Sequence, residues 1–173
     1  MEQGSEGKAL PKTGKRSFFT EIIESVAIAV LLAVVIRLFI LEPFYIPSGS
    51  MEPNLKENDR IIVSKLNYHF QEPQRGDVVV FKYPRDPKRN FVKRLIASGG
   101  ETVALKDSRL YINGELVPEN YLPKGLRFAD FGPVEVPEGH YLMLGDNRNN
   151  SDDSRFPDVG FVSRELIMGR AVA

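Results

Sequence analysis

Two serines flank a glycine at Ser48-Gly49-Ser50 and form the first group of residues that could carry out chemistry. The glycine allows a tight turn that presents a hydroxyl and a backbone N–H together. Such a turn can hold a nucleophile and part of an oxyanion hole. A plain linker rich in serine, proline and glycine would have the same composition. Three nearby apolar residues, which a free linker has no reason to carry, favour a folded turn: Phe44, Ile46 and Met51.

Lys93 is the second candidate, in the mainly apolar stretch of residues 90–97, whose residues 91–97 are predicted to form a β-strand. On a strand, Lys93 shares one face with Phe91 and Leu95. Apolar neighbours remove water from an ammonium group and lower its pKa, which a lysine needs in order to act as a general base near neutral pH. By residue pattern alone, a lysine on an edge strand with its ammonium group in water is the commoner case.

Other chemistries have little support in the composition. The chain has no cysteine, which excludes thiol nucleophiles, zinc–thiolate sites and disulfides. The chain has two histidines, His69 and His140, and neither is flanked in the sequence by anything resembling a nucleophile elbow. A Ser-His-Asp triad is therefore disfavoured. Residues 146–153 fail the calcium-loop pattern because Arg148 takes the third position and no glycine takes the sixth. We therefore predict neither a metal nor a cofactor.

The charge balance argues against nucleic acid as a partner. The chain carries 23 Lys+Arg and 23 Asp+Glu, and the basic residues are scattered along it.

An apolar run at residues 22–41 contains only two charges, Glu24 and Arg37, both near its ends. Twenty helical residues span about 30 Å, the thickness of the hydrocarbon core of a bilayer. A cleaved signal peptide would end in small residues at a cleavage site, and none is present here. A buried core helix would need a partner surface, which the strand-like remainder does not offer. The run predicts an uncleaved transmembrane anchor at residues 18–42.

The orientation of this anchor follows from the basic residues on its amino-terminal side, and residues 42–55 carry no Lys or Arg. The positive-inside rule then places residues 1–17 in the cytoplasm. Their composition of Gly, Lys and Ser predicts disorder. Residues 43–173 are expected to form a catalytic β-domain outside the cytoplasm. The basic residues of the tail are Lys8, Lys12, Lys15 and Arg16.

The remainder of the chain has period-two patterning with turn residues every few positions, and no long amphipathic helix is apparent. Asn113-Gly114 predicts a type I′ hairpin turn. Loops are expected at residues 83–90 and 117–132. The fold class is therefore mainly β: an antiparallel sheet or barrel-like domain with one N-terminal transmembrane α-helix. Strands are predicted at residues 60–66, 77–82, 91–97, 101–105, 109–117, 140–144 and 160–164.

Several separated motifs make the chain resemble bacterial type I signal peptidases, which are Ser-Lys proteases, over about residues 22–171. Any one of the motifs would be weak evidence, but together in this order, behind one N-terminal apolar span, they are specific. The motifs are IPSGSMEP at 46–53, RGDVVVF at 75–81, YP at 83–84, FVKR at 91–94 and GDNRNNSDDSR at 145–155.

The resemblance implies a role for each matching residue. Ser50 would be the nucleophile and Lys93 its general base, and the Ser48 hydroxyl with the Ser50 N–H would form the oxyanion hole. Ser151 would hydrogen-bond the lysine. A supporting ion pair would join Asp153 and Arg155. Shallow substrate pockets for small side chains would be lined by Phe44, Ile46, Met51, Val80 and Val92.

The resemblance also implies a function, namely removal of signal peptides with Ala-x-Ala before the cut from exported preproteins. The lipid bilayer and the nearby export machinery would be its other partners. Two departures from the family pattern are Asn54, where threonine is usual, and the turn at residues 97–101. Three alternatives stay open: a non-catalytic anchored β-domain that binds a partner, another Ser-Lys protease such as a self-cleaving repressor, and an exported protein without protease activity.

Overall fold

The computed structural model describes residues 18–172, so the tail predicted to be disordered lies outside the described part. Helix α1, Phe18–Val35, has no buried residue and is long and apolar enough to cross a membrane, by length and composition alone. One π-helical turn, Ile36–Ile40, follows it, and strand β1 begins at Leu41. The predicted end of the anchor at residue 42 thus falls inside a strand.

The rest of the described chain is built mainly from antiparallel strands, as predicted. Seven strands form one sheet in the order β1-β2-β11-β3-β4-β9-β10, and four form a second sheet in the order β7-β6-β5-β8. One short helix, α2, spans Asn67–Phe70. The strands are β1 Leu41–Tyr45, β2 Arg60–Ser64, β3 Val78–Tyr83, β4 Asp86–Ser98, β5 Thr102–Lys106, β6 Arg109–Ile112, β7 Glu115–Val117, β8 Phe131–Glu135, β9 His140–Leu144, β10 Val162–Ser163 and β11 Ile167–Ala171.

Three strands, β1, β8 and β11, were not anticipated from the sequence. Pro43 in β1 and Pro133 in β8 obscure the strand pattern, and both strands lie at a sheet edge, where a missing N–H is tolerated. In β11, a Cβ on Gly169 would lie 2.5 Å from the backbone oxygen of Ser64, so a close approach of two backbones requires the glycine.

The prediction of a loop at residues 83–90 is wrong. Strand β4 already begins at Asp86, which pairs with Tyr83, and Asn90 pairs with Lys82 after an irregularity. Pairing with β3 overrides the low strand propensity of this polar stretch. The predicted hairpin turn is confirmed, because Asn113 and Gly114 have φ angles of 52° and 83°.

Residues 118–130 connect β7 to β8 without helix or strand, yet they are attached to the core. Phe128 is buried among residues of the small sheet, and Leu122 and Leu126 pack against the same cluster. The long predicted loop is therefore a packed segment along much of its length.

A separate apolar cluster lies beneath the segment that carries the two serines. It joins β2, β3 and β4 to the chain just after β1. Phe44 packs against this cluster, whose buried members are Ile46, Met51, Ile61, Val63, Val80 and Val92. This packing fixes a short 3₁₀ turn, Gly49–Met51, beside the middle of β4.

Candidate active site

The structure brings together the two residues that the sequence singled out. The Nζ of Lys93 lies 2.6 Å from the Oγ of Ser50, although the residues are 43 positions apart in the chain. Ser50 stands in the 3₁₀ turn and Lys93 on β4. Lys93 is only 4% exposed, so the amine is shielded from water while it contacts the serine hydroxyl.

Burial sets the protonation of this lysine. Desolvation lowers the pKa of Lys93 from 10.5 to about 8, and the opposing fields of Asp153, Asp152 and Asp146 only partly offset it. The positive charge of Arg155 also lowers the pKa. A sizeable fraction of Lys93 is thus neutral slightly above neutral pH, as a general base requires.

The turn that carries Ser50 is docked onto the segment after β9. The backbone N–H of Asn147 donates to the carbonyl of Ser50 at 3.0 Å, and its Nδ2 donates to the carbonyl of Gly49 at 3.0 Å. A Cβ on Gly145 would lie 2.5 Å from the Ser50 carbonyl oxygen. Sequence reasoning placed Asn147 and Gly145 in a motif and assigned neither a contact. The only sequence feature that could have pointed to a role for them in the site was their membership of that motif.

The two other serines lie beside this pair. The hydroxyl of Ser48, an exposed residue, is 3.4 Å from the Oγ of Ser50. Ser151 lines the same cleft as Lys93, but among the described residues its buried Oγ has no hydrogen-bond partner. The expected bond between Ser151 and Lys93 is therefore not formed in this structure, where the Nζ instead donates to Ser50.

Asp153 and Arg155 form a two-point ion pair next to the site. Both nitrogen–oxygen distances are 2.8 Å, from Nε to Oδ1 and from Nη2 to Oδ2. Asp153 is fully buried and also accepts from the N–H of Gly145 at 3.0 Å. The pair thus fixes the backbone that packs on Ser50, and it places one negative and one positive charge near Lys93.

A cleft of about 560 Å³ opens over Ser50 and Lys93. Of the five predicted pocket residues, Ile46, Met51 and Val92 line it. Phe44 and Val80 belong to the same apolar cluster but do not line the cleft. The floor of the cleft next to Ser50 therefore includes three buried apolar side chains.

A second ionic group, which sequence reasoning missed, lies on the other side of β4. Arg94 donates to both carboxylate oxygens of Asp146, at 2.8 and 2.6 Å, and its guanidinium stacks 4.0 Å from the ring centre of Tyr121. Asn54, one of the departures from the family pattern, donates to Asp146 at 2.8 Å and to the carbonyl of Tyr121 at 2.9 Å. The segment that follows β7 is thereby tied to the chain just after the turn that carries Ser50.

Arg148 attaches the same segment at a second point. Its side chain is buried and forms a two-point ion pair with Glu119. It also lies 5.0 Å from the ring centre of Phe128. Glu119 and Phe128 precede Arg148 by 29 and 20 positions, so these contacts give no local signal in the sequence.

His140 does not approach the site. It stands at the start of β9, where its Nδ1 lies 2.9 Å from the carbonyl of Glu138, and it does not line the cleft.

Comparison with known proteins identifies the family of this chain. The family model for signal peptidase, peptidase S26, matches residues 19–173. The chain is 44% identical over 157 residues to probable signal peptidase I-2 of Synechocystis, covering 87% of this chain and 70% of that protein. It is 46% identical over 160 residues to signal peptidase I of Leptolyngbya laminosa, covering 88% and 77%.

A solved structure supports the same assignment. The crystal structure of a signal peptidase I from Enterococcus faecalis aligns with a TM-score of 0.52 and 38% identity, over 59% of this chain and 98% of that chain. The match of the family model along nearly the whole chain shows that this protein belongs to the signal peptidase family, peptidase S26.

Proposed function

We propose that Ser50 and Lys93 form the catalytic dyad with which this serine endopeptidase removes signal peptides from exported preproteins. The observation that carries the proposal is the 2.6 Å contact between a buried lysine amine and a serine hydroxyl at the floor of an open cleft. Burying an amine costs stability, so a buried lysine is expected where its amine has a use. Its position against a nucleophile supplies that use.

The reaction proceeds in two steps. Neutral Lys93 takes the proton of Ser50 as Oγ attacks the carbonyl carbon of the residue before the cut. The oxyanion accepts hydrogen bonds from the Ser48 hydroxyl and the Ser50 N–H. Lys93 then gives the proton to the departing amine, and the C–N bond breaks to leave an acyl-serine. A water molecule, deprotonated by Lys93, hydrolyses that ester and restores Ser50.

The apolar floor beside Ser50 favours small side chains. Ile46, Met51 and Val92 line the cleft and are buried in a packed cluster, so they cannot easily move to admit a large side chain. Preproteins with Ala-x-Ala before the cut fit this floor.

The dyad acts close to the outer face of the membrane. Ser50 lies only nine positions after Leu41, where the helical segment ends and β1 begins. Helix α1 anchors the chain, the basic tail before it is cytoplasmic, and the catalytic β-domain lies outside the cytoplasm. A substrate whose signal helix is still in the bilayer is then held near Ser50, close to the export machinery, and this proximity contributes to the rate.

The test is cleavage of a preprotein with an Ala-x-Ala site by the full chain in detergent micelles. Ser50→Ala is expected to lower the rate by about 10⁴-fold or more, because the hydroxyl that the Lys93 amine contacts is then lost. Ser163→Ala, a serine on β10 outside the cleft, serves as the matched control and should cleave normally. Normal cleavage by Ser50→Ala would refute the dyad, and no cleavage by the wild type would favour a binding module.

A further inference from the structure

Arg89 lies at one end of the cleft and has no place in the mechanism above. It is an exposed residue of β4 that lines the cleft together with Asn90 and Phe91. Its guanidinium carbon lies 5.4 Å from the ring centre of Tyr83 and 5.6 Å from that of Phe91. These two rings stack at 4.6 Å, so the guanidinium rests on a rigid aromatic platform.

The direction of the strands shows on which side of the cut Arg89 lies. Four successive antiparallel pairings, β1 with β2, β2 with β11, β11 with β3 and β3 with β4, make β1 and β4 parallel. Both strands run toward the dyad, one to Ser50 and the other to Lys93. Arg89 therefore lies on the same side of the dyad as Ile46, which lines the proposed pocket for the residue before the cut.

The distance along β4 gives the substrate position. Arg89 precedes Lys93 by four residues, which is about 13 Å along a strand. An extended peptide with its scissile bond at Ser50 has its fifth residue before the cut at that distance. The backbone of β4 can approach such a peptide, since within the described chain β9 pairs with β4 only from Arg94 onward.

The charge of Arg89 is available to a ligand. Across residues 18–172, no carboxylate forms an ion pair with it, whereas its neighbour Arg85 pairs with Asp158 at 2.8 Å. The other charged residues lining the cleft are Lys93 of the dyad and Asp152, which follows Ser151. Arg89 is thus the charged residue at the end of the cleft where the substrate residues before the cut would lie.

We propose that Arg89 is a specificity residue that favours an acidic side chain, and disfavours a basic one, at about the fifth residue before the cut. This inference rests on the proposed function, because it assumes that the peptide is cut at Ser50. The contact is solvent-exposed, so a preference of about three- to tenfold in kcat/KM is expected.

The test uses three peptides that share one Ala-x-Ala site and differ only in carrying Glu, Gln or Lys at the fifth residue before the cut. The wild type should cleave the Glu peptide about three- to tenfold more efficiently than the Lys peptide, with the difference shrinking in 1 M salt. Arg89→Gln should level the two rates, and Arg89→Glu should reverse the order. Arg85→Gln, outside the cleft, should keep the wild-type preference.

Two outcomes would overturn different claims. An unchanged preference for the Glu peptide in Arg89→Glu, or equal rates for both charged peptides in the wild type, would refute the role of Arg89. Failure of the wild type to cleave the neutral Gln peptide would instead refute the proposed function, because cleavage of that peptide does not depend on a charge interaction with Arg89.

Discussion

Replacing Lys93 with methionine is expected to abolish cleavage and, at the same time, to raise the free energy of unfolding at pH 7. Methionine has nearly the volume of the lysine stem and fills the same space, but it cannot take the proton of Ser50. The loss of cleavage should be about 10³-fold or more. The gain in stability follows from the cost of burying the ammonium group.

The sign of the stability change comes from the two pKa values. Burial lowers the pKa of Lys93 from 10.5 to about 8, so the unfolded chain binds the proton more tightly than the folded protein does. At pH values below 8 this difference costs the folded state about 3 kcal/mol. The cost diminishes between pH 8 and pH 10.5, where the folded protein loses its proton before the unfolded chain does.

Urea unfolding of the full chain in detergent measures this effect. Lys93→Met should be about 1–3 kcal/mol more stable than the wild type at pH 7, and the advantage should shrink by pH 10.5. Lys82→Met provides the matched control, because Lys82 is exposed on β3 and should show no such gain. A less stable Lys93→Met protein, or one that still cleaves, would contradict the assignment of a desolvated base.

Gly145→Ala should have the second large effect, although Gly145 contributes no side chain to the chemistry. A Cβ at this position would lie 2.2 Å from the Oγ of Ser151 and 2.5 Å from the carbonyl oxygen of Ser50. The backbone oxygen cannot rotate away, so the turn that carries Ser50 has to move. A displacement of about 1 Å is enough for a 100-fold loss of rate, and the crowding should lower stability by about 1–3 kcal/mol.

Gly139→Ala is the control that separates displacement of the Ser50 turn from a general loss of stability. Gly139 has a φ angle of +72°, so alanine is strained there, but no heavy atom lies within 4 Å of the added Cβ. This variant should be somewhat destabilised and should cleave normally at a temperature where it is folded. Equal activity of Gly145→Ala and Gly139→Ala under those conditions would disprove the steric account.

The residue pattern made Ser50 and Lys93 candidates without deciding their roles. Ser50 follows a glycine in a stretch of Ser, Pro and Gly that also carries apolar residues, and Lys93 shares a strand face with Phe91 and Leu95. This pattern alone left open whether the side chain of Lys93 faces water. The resemblance to signal peptidases supplied the pairing of the two residues, and both the family membership and the mainly β fold class are confirmed.

The supporting contacts could not be predicted, since they depend on which segments meet in space. Arg94 and Asp146 are 52 positions apart, and neither residue type favours a buried position by itself. The docking of Asn147 on the serine turn involves a backbone N–H, which no side-chain pattern reveals. Strand β1 was missed because Pro43 lowers strand propensity and sheet pairing overrides that preference.

The pH dependence of kcat/KM tests the central claim, that neutral Lys93 is the general base for Ser50, most directly. The substrate should be an Ala-x-Ala peptide without ionisable side chains, assayed with the full chain in detergent from pH 6 to pH 10. The rate should rise with the loss of one proton and reach half its maximum near pH 8, where Lys93 becomes neutral. A rate that is flat across this range, or that is still rising at pH 10 as expected for a lysine with its ordinary pKa of 10.5, would contradict the claim.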